Sequence, residues 1–209
     1  MVIRSMTQRP WLRLAAFALI PALVVYVLAL ALSGAAGIGT VLVIRDLAQT
    51  CDTALGIGLI SNLGYLLWAA AAAIALFAGF ARIHGVRGRE RQLLLSGGAF
   101  SALLCLDDMF LLHDRYIGSS FLYALYAVFA LSILLRFRED VLRLAGPTFL
   151  LAVALLGVSI VLDVFQGVLP IGYDSLQLVE EGSKFLGIAI WLAFWCLASA
   201  RAGKLKVAP

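Results

Sequence analysis

Apolar stretches of membrane-crossing length recur six times along this 209-residue chain, at about 11–33, 54–81, 92–112, 121–135, 147–167 and 177–199. A helix needs about 20 mostly apolar residues to cross a bilayer, so the pattern predicts an all-α, polytopic bundle of about six transmembrane helices. The fourth stretch is the shortest. The first follows Arg4, Arg9 and Arg13; it is too long for a signal-peptide apolar core and no cleavage pattern precedes a soluble domain, so it reads as a retained helix. Residues 1–209 therefore read as one transmembrane domain, with 34–53 as an outer loop. The apolar patch 38–44 in that loop is too short to cross and reads as re-entrant or interfacial.

Charge is scarce, at 13% of residues, where soluble domains carry about 25%. That scarcity excludes disorder, and three cysteines exclude a disulfide scaffold. Net charge is +4, but the basic residues form no stripe for nucleic acid.

Where the charges fall is more informative. Thirteen of the sixteen Lys and Arg residues lie at the N-terminus, the C-terminus or the even-numbered connections; only Arg45, Arg115 and Lys184 lie toward the other side. By the positive-inside rule both termini are cytoplasmic, in a multi-pass protein of the cell inner membrane. Acids segregate oppositely. Glu90, Glu139 and Asp140 lie on the basic side, and the other nine of twelve collect opposite. Insertion rules do not demand this second segregation.

Those acids suggest a site. The third span closes with Cys105-Leu106-Asp107-Asp108 and then His113-Asp114-Arg115-Tyr116. If the helix runs on to Tyr116, Asp107 and Asp114 share a face two turns apart, with Asp108 and His113 flanking. The fifth span carries Asp163 and Gln166, and the sixth opens with Glu180, Glu181 and Lys184, spaced so that either glutamate can pair with the lysine. Ionisable groups within spans are costly and face the bundle interior, so these groups are expected to converge near the outer end. Asp46, Asp52, Asp114 and Asp174 lie in or beside loops and have a plain reading as solvated helix ends. Asp107, Asp108, Asp163 and Glu181 sit in apolar surroundings and do not.

Several carboxylates together need protons or a cation. The expected metal ligands are Asp107, Asp108, His113, Asp163 and Glu181, for a divalent metal ion whose identity the sequence leaves open. Asp108, His113 and Glu181 are the catalytic candidates, with Asp114, Gln166, Glu180 and Lys184 in support. The leading expectation is a metal-dependent membrane enzyme acting on a lipid-like substrate. Two alternatives stand beside it: an accessory subunit docking a membrane-complex partner, and a small cation or proton transporter, whose inner half offers few polar residues beyond Ser96, Ser132 and Thr148. The zinc hydrolases of the alkaline ceramidase and adiponectin receptor type use three histidines, whereas this chain has two, His84 and His113, on opposite sides. Glu180-x-x-x-Lys184 looks like the acid and retinal lysine of microbial rhodopsins, but those have seven helices and an outward N-terminus.

The remaining residues have packing roles. Gly97 and Ser101, like the run Ala69–Ala73, suit close helix contact. Trp191 and Trp195 share a face for packing, Cys105 and Cys196 read as small hydrophobes, and Tyr123, Tyr126 and Tyr173 fit an interfacial belt.

Overall fold

The computed structural model describes residues 10–44, 50–54, 56–170 and 172–204; the side chains of 10–18, Pro21 and Asp114 fall outside that description, as do Arg45 and Asp46. All described regular structure is helical, and the chain divides into two units, Met1–Ile57 and Gly58–Pro209.

The first unit contains α1 (Pro10–Ala35) and the five-residue α2 (Thr40–Ile44). α1 stops because Gly37 takes up a left-handed conformation, φ 74°, which costs glycine nothing. The reversed chain then satisfies two end carbonyls, with Ile38 N–H donating to Ser33 O at 2.8 Å and Gly37 N–H to Gly34 O at 3.1 Å.

The second unit holds α3 (Leu59–Phe80), α4 (Gly88–Phe110), the single turn α5 (Leu112–Arg115), α6 (Ser119–Arg136), α7 (Arg138–Phe165) and α8 (Tyr173–Arg201). Its five long helices are each long and apolar enough to cross a membrane, making this a helical membrane protein. The chief packing partners are α7 with α8, α3 with α4, and α3 with α8; α6 rests on α7 and α4. Lipid provides no hydrophobic drive between helices, so close van der Waals contact must supply it. Small residues permit that contact. Ala71, Ala75 and Ala78 of α3 are buried to 3% exposure or less. On α4, a Cβ at Gly98 would stand 2.9 Å from the Leu76 backbone nitrogen, and one at Gly97 only 1.8 Å from the Trp195 ring.

At one end of the unit the helix termini are tied by charge. Glu90 lies in the first turn of α4, and Glu139 and Asp140 in the first turn of α7, where the helix dipole favours acids. Arg89 reaches Asp140 at 3.2 Å, and Arg143 bonds both Glu90 and Asp140. Glu90 also accepts from Gly203 N–H at 2.8 Å. Pro147 lies inside α7, which kinks at Ala145 because proline cannot donate and crowds the preceding turn. The Leu144 carbonyl beside the kink accepts a bond from Arg201. The acids of this basic end thus serve the architecture.

The middle of the bundle is filled with rings. Trp191, Trp195, Phe149 and Phe194 are each at most 1% exposed, and Trp191 meets Trp68, Phe100 and Trp195 edge-on at 5.5–6.3 Å. The Trp191 indole N–H donates to Ser101 Oγ at 2.8 Å, and Ser101 donates to Gly97 O at 2.8 Å. The expected roles of Gly97, Ser101 and both tryptophans in packing are met here. Cys196 differs, being exposed on the bundle perimeter.

Gly97→Ala should cost about 1–3 kcal/mol, the usual penalty for overpacking a core, because the new methyl cannot coexist with the Trp195 ring. Thermal melting in detergent should show a clear loss, and Gly97→Ala combined with Trp195→Leu should recover part of it; unchanged melting in the single variant would disprove the close approach.

Candidate functional site

The decisive local feature is where α4 stops. Leu111 adopts a left-handed conformation, φ 52° and ψ 45°, with its N–H on the Asp107 carbonyl. A branched residue there is a genuine outlier, and it ends the helix four residues after Asp107. The expectation of a helix continuing to Tyr116 is therefore corrected, and with it the shared face of Asp107 and Asp114. The chain folds back instead, and α5 starts directly over the Asp107 side chain.

This reversal builds a dyad. The His113 backbone N–H donates to Asp107 Oδ1 at 2.9 Å, and His113 Nδ1 lies 2.9 Å from Asp107 Oδ2. The Tyr126 hydroxyl is a further hydrogen-bond partner of Asp107. A carboxylate can only accept, so the Nδ1 that faces Asp107 carries a proton. Asp107 is 4% exposed and the His113 side chain 10%.

The dyad borders a cavity of about 510 Å³ enclosed by α3, α4, α6, α7 and α8. Asp107, Asp108, His113, Asp163, Gln166, Glu180, Glu181 and Lys184 all line it. The convergence expected from the spans is therefore present in the folded chain. Trp68, Phe100 and Trp191 also line the cavity and close it toward the aromatic centre of the bundle. At the opposite end Tyr173 and Gln166 are exposed. Asp114 belongs to α5, but its side chain lies outside the described residues.

Pairing inside the cavity crosses between helices. Lys184 Nζ meets Asp108 Oδ1 at 2.5 Å, joining α8 to α4, where spacing along α8 had offered Glu180 or Glu181. A lysine on the interior face of α8 reaches the wall opposite more directly than its own helix surface. Glu180 accepts from Gln177 Nε2 at 3.0 Å, Asp163 Oδ2 from the Tyr123 hydroxyl at 2.7 Å, and Asp163 Oδ1 from Gln166 Nε2 at 3.5 Å. Among the described residues, no group of three or more His, Cys, Asp and Glu side chains is arranged to hold a metal ion. Asp107 and Asp108 are instead engaged by His113 and Lys184.

Several site residues are not legible in the spans taken one by one. Tyr123 and Tyr126, assigned to an interfacial belt, turn inward onto Asp163 and Asp107; their spacing of three on a single span was the available signal. Tyr65, Ser159 and Gln177 join them in the lining. Gln177 had a signal of its own, lying three residues before Glu180.

If Lys184 and Asp108 neutralise each other, Lys184→Met and Asp108→Asn should each destabilise the protein, and the double variant should cost less than the two together. A coupling of about 0.5–3 kcal/mol is expected for groups in contact. Additive losses in detergent melting would show that the two side chains act independently.

Sequence comparisons find no match among curated proteins and none among solved structures. One family, described as "Domain of unknown function (DUF8692)", matches residues 13–198, and the chain belongs to that family.

Proposed function

We propose that this protein is a membrane-embedded enzyme that uses the Asp107–His113 dyad for proton transfer on a lipid-like substrate. The observation that carries the reading is the paired hydrogen bonding of His113 to Asp107 at the border of a cavity with polar walls and an aromatic floor. In this arrangement Asp107 holds the imidazole tautomer and stabilises the imidazolium that forms when Nε2 takes a proton. His113 takes that proton from water. The water oxygen bonds to the electrophilic centre, the leaving oxygen departs, and His113 returns the proton to it. The Lys184 ammonium, steadied by Asp108, faces the cavity and supports developing negative charge.

The site lies between helices long enough to cross a membrane, so an amphiphile can enter with its chain among apolar lining residues such as Ile60, Leu104 and Ile160. The ring-packed centre below the floor supports a one-ended chamber over a transport route. Its inward-facing carboxylates, with Asp107 and Asp108 already engaged by His113 and Lys184, support a reaction chamber over a docking face for a membrane-complex partner.

We place the protein in the cell inner membrane with six spans, α1 being the first, and with both termini cytoplasmic. The 13-to-3 division of basic residues supports this orientation. Cys51 is exposed and lies in the connection assigned to the outer side. In intact spheroplasts it should react with a membrane-impermeant maleimide. Protection there, with labelling only after permeabilisation, would invert the topology.

The activity is tested by reconstituting purified protein with mixed phospholipids and sphingolipids and following each lipid by mass spectrometry. Wild type should consume one class, and His113→Ala and Asp107→Asn should slow that turnover by about 10²–10⁴-fold, the usual contribution of general base catalysis. Undiminished turnover in His113→Ala would remove the dyad from the mechanism. A metal-dependent form of the reaction would instead show a stoichiometric divalent ion by elemental analysis, lost in Asp108→Ala.

A further inference from the structure

The chemistry of the substrate's polar end can be read from the wall formed by α7 and α8, an inference that rests on the reading of this cavity as a substrate site. Asp163, Glu180 and Glu181 line that wall; Glu180 lies within electrostatic reach of the other two, and Lys184 within reach of both glutamates. The hydrogen bonds to Asp163 and Glu180 come from neutral groups: the Tyr123 hydroxyl, Gln166 and Gln177. The cavity lining contains a single lysine, and it is held by Asp108. With His113 neutral, five carboxylates and one ammonium give the lining a formal charge of −4.

A second observation points to the same ligand. Ser159 lies one helical turn before Asp163 on α7, is only 7% exposed and lines the cavity. Among the described residues no hydrogen bond to its hydroxyl is found, and the hydroxyl opens onto the cavity rather than being sealed in the packing. A ligand group seated beside Asp163 would supply the missing bond. An ammonium suits that position, since it offers three donors to a wall of acceptors. Tyr65, Trp68 and Tyr126 are also in the lining, and aromatic faces attract organic cations. A metal ion is less well served, because it demands a compact donor polyhedron and no such group exists among the described residues.

We propose that the cavity selects an amphiphile bearing a positively charged nitrogen, seated against Asp163, Glu180, Glu181 and Ser159. The test uses protein in nanodiscs, with lipid-only discs as background, and four probes: dodecylamine, dodecanol, dodecanoate and butylamine. Dodecylamine should bind at least about tenfold more tightly than dodecanol, equivalent to about 1.4 kcal/mol, with dodecanoate weakest. Asp163→Asn combined with Glu181→Gln should abolish that preference, and a cooperative melt in detergent shows that the variant is folded. Ser159→Ala should weaken dodecylamine alone. Butylamine binding as well as dodecylamine would overturn the amphiphile and point to a soluble amine. Equal affinity for dodecylamine and dodecanol would overturn the cationic nitrogen, leaving the Asp107–His113 reaction to its own lipid-turnover test. Displacement of dodecylamine by equimolar Zn²⁺ would reassign the carboxylates to a metal.

Discussion

Charge inside an apolar bundle must be met by a partner or by water, and this one constraint organises the protein at both ends. At the basic end, arginines from α4 and α7 absorb Glu90 and Asp140, and helix dipoles favour the same acids. At the other end the carboxylates outnumber the cations, so pairing is incomplete. Asp107 has an imidazole, Asp108 an ammonium, and Asp163 and Glu180 have neutral donors. The first end is closed by its charges; the second keeps a cavity that a ligand can complete.

The cavity persists because the layer beneath it cannot collapse. Trp191 is held by its bond to Ser101 and by edge contacts with Trp68, Phe100 and Trp195. Gly97 makes room for the Trp195 ring to lie against α4. Small residues thus admit large rings, and the rings form a stiff floor under the polar chamber. The left-handed Leu111 belongs to the same economy of position. It strains one residue, but it delivers His113 onto Asp107 with two bonds that a straight helix could not make.

Much of the architecture was legible before folding. Apolar stretches near 20 residues and alternating basic connections follow from the cost of placing polar groups in lipid. That cost acts on each segment separately, so a linear reading captures it. The same reasoning marked Asp107, Asp108, Asp163 and Glu181 as interior residues, because an isolated acid in an apolar helix has few tolerable places.

Pairing was another matter. Lys184 could be matched to Glu180 or Glu181 by spacing, yet it joins Asp108 across the cavity. Tyr123 and Tyr126 resemble ordinary interfacial aromatics until α6 turns them onto Asp163 and Asp107. The break at Leu111 carries no glycine or proline to announce it. These features depend on which helix faces which and at what rotation, quantities settled by packing among all five helices rather than within any one. By itself, the sequence determined the helical membrane character, since that follows from segment-by-segment transfer cost. Only the tertiary structure decided that the interior acids share one cavity, that His113 folds back onto Asp107, and that Lys184 crosses to Asp108, because such contacts exist only when distant segments meet.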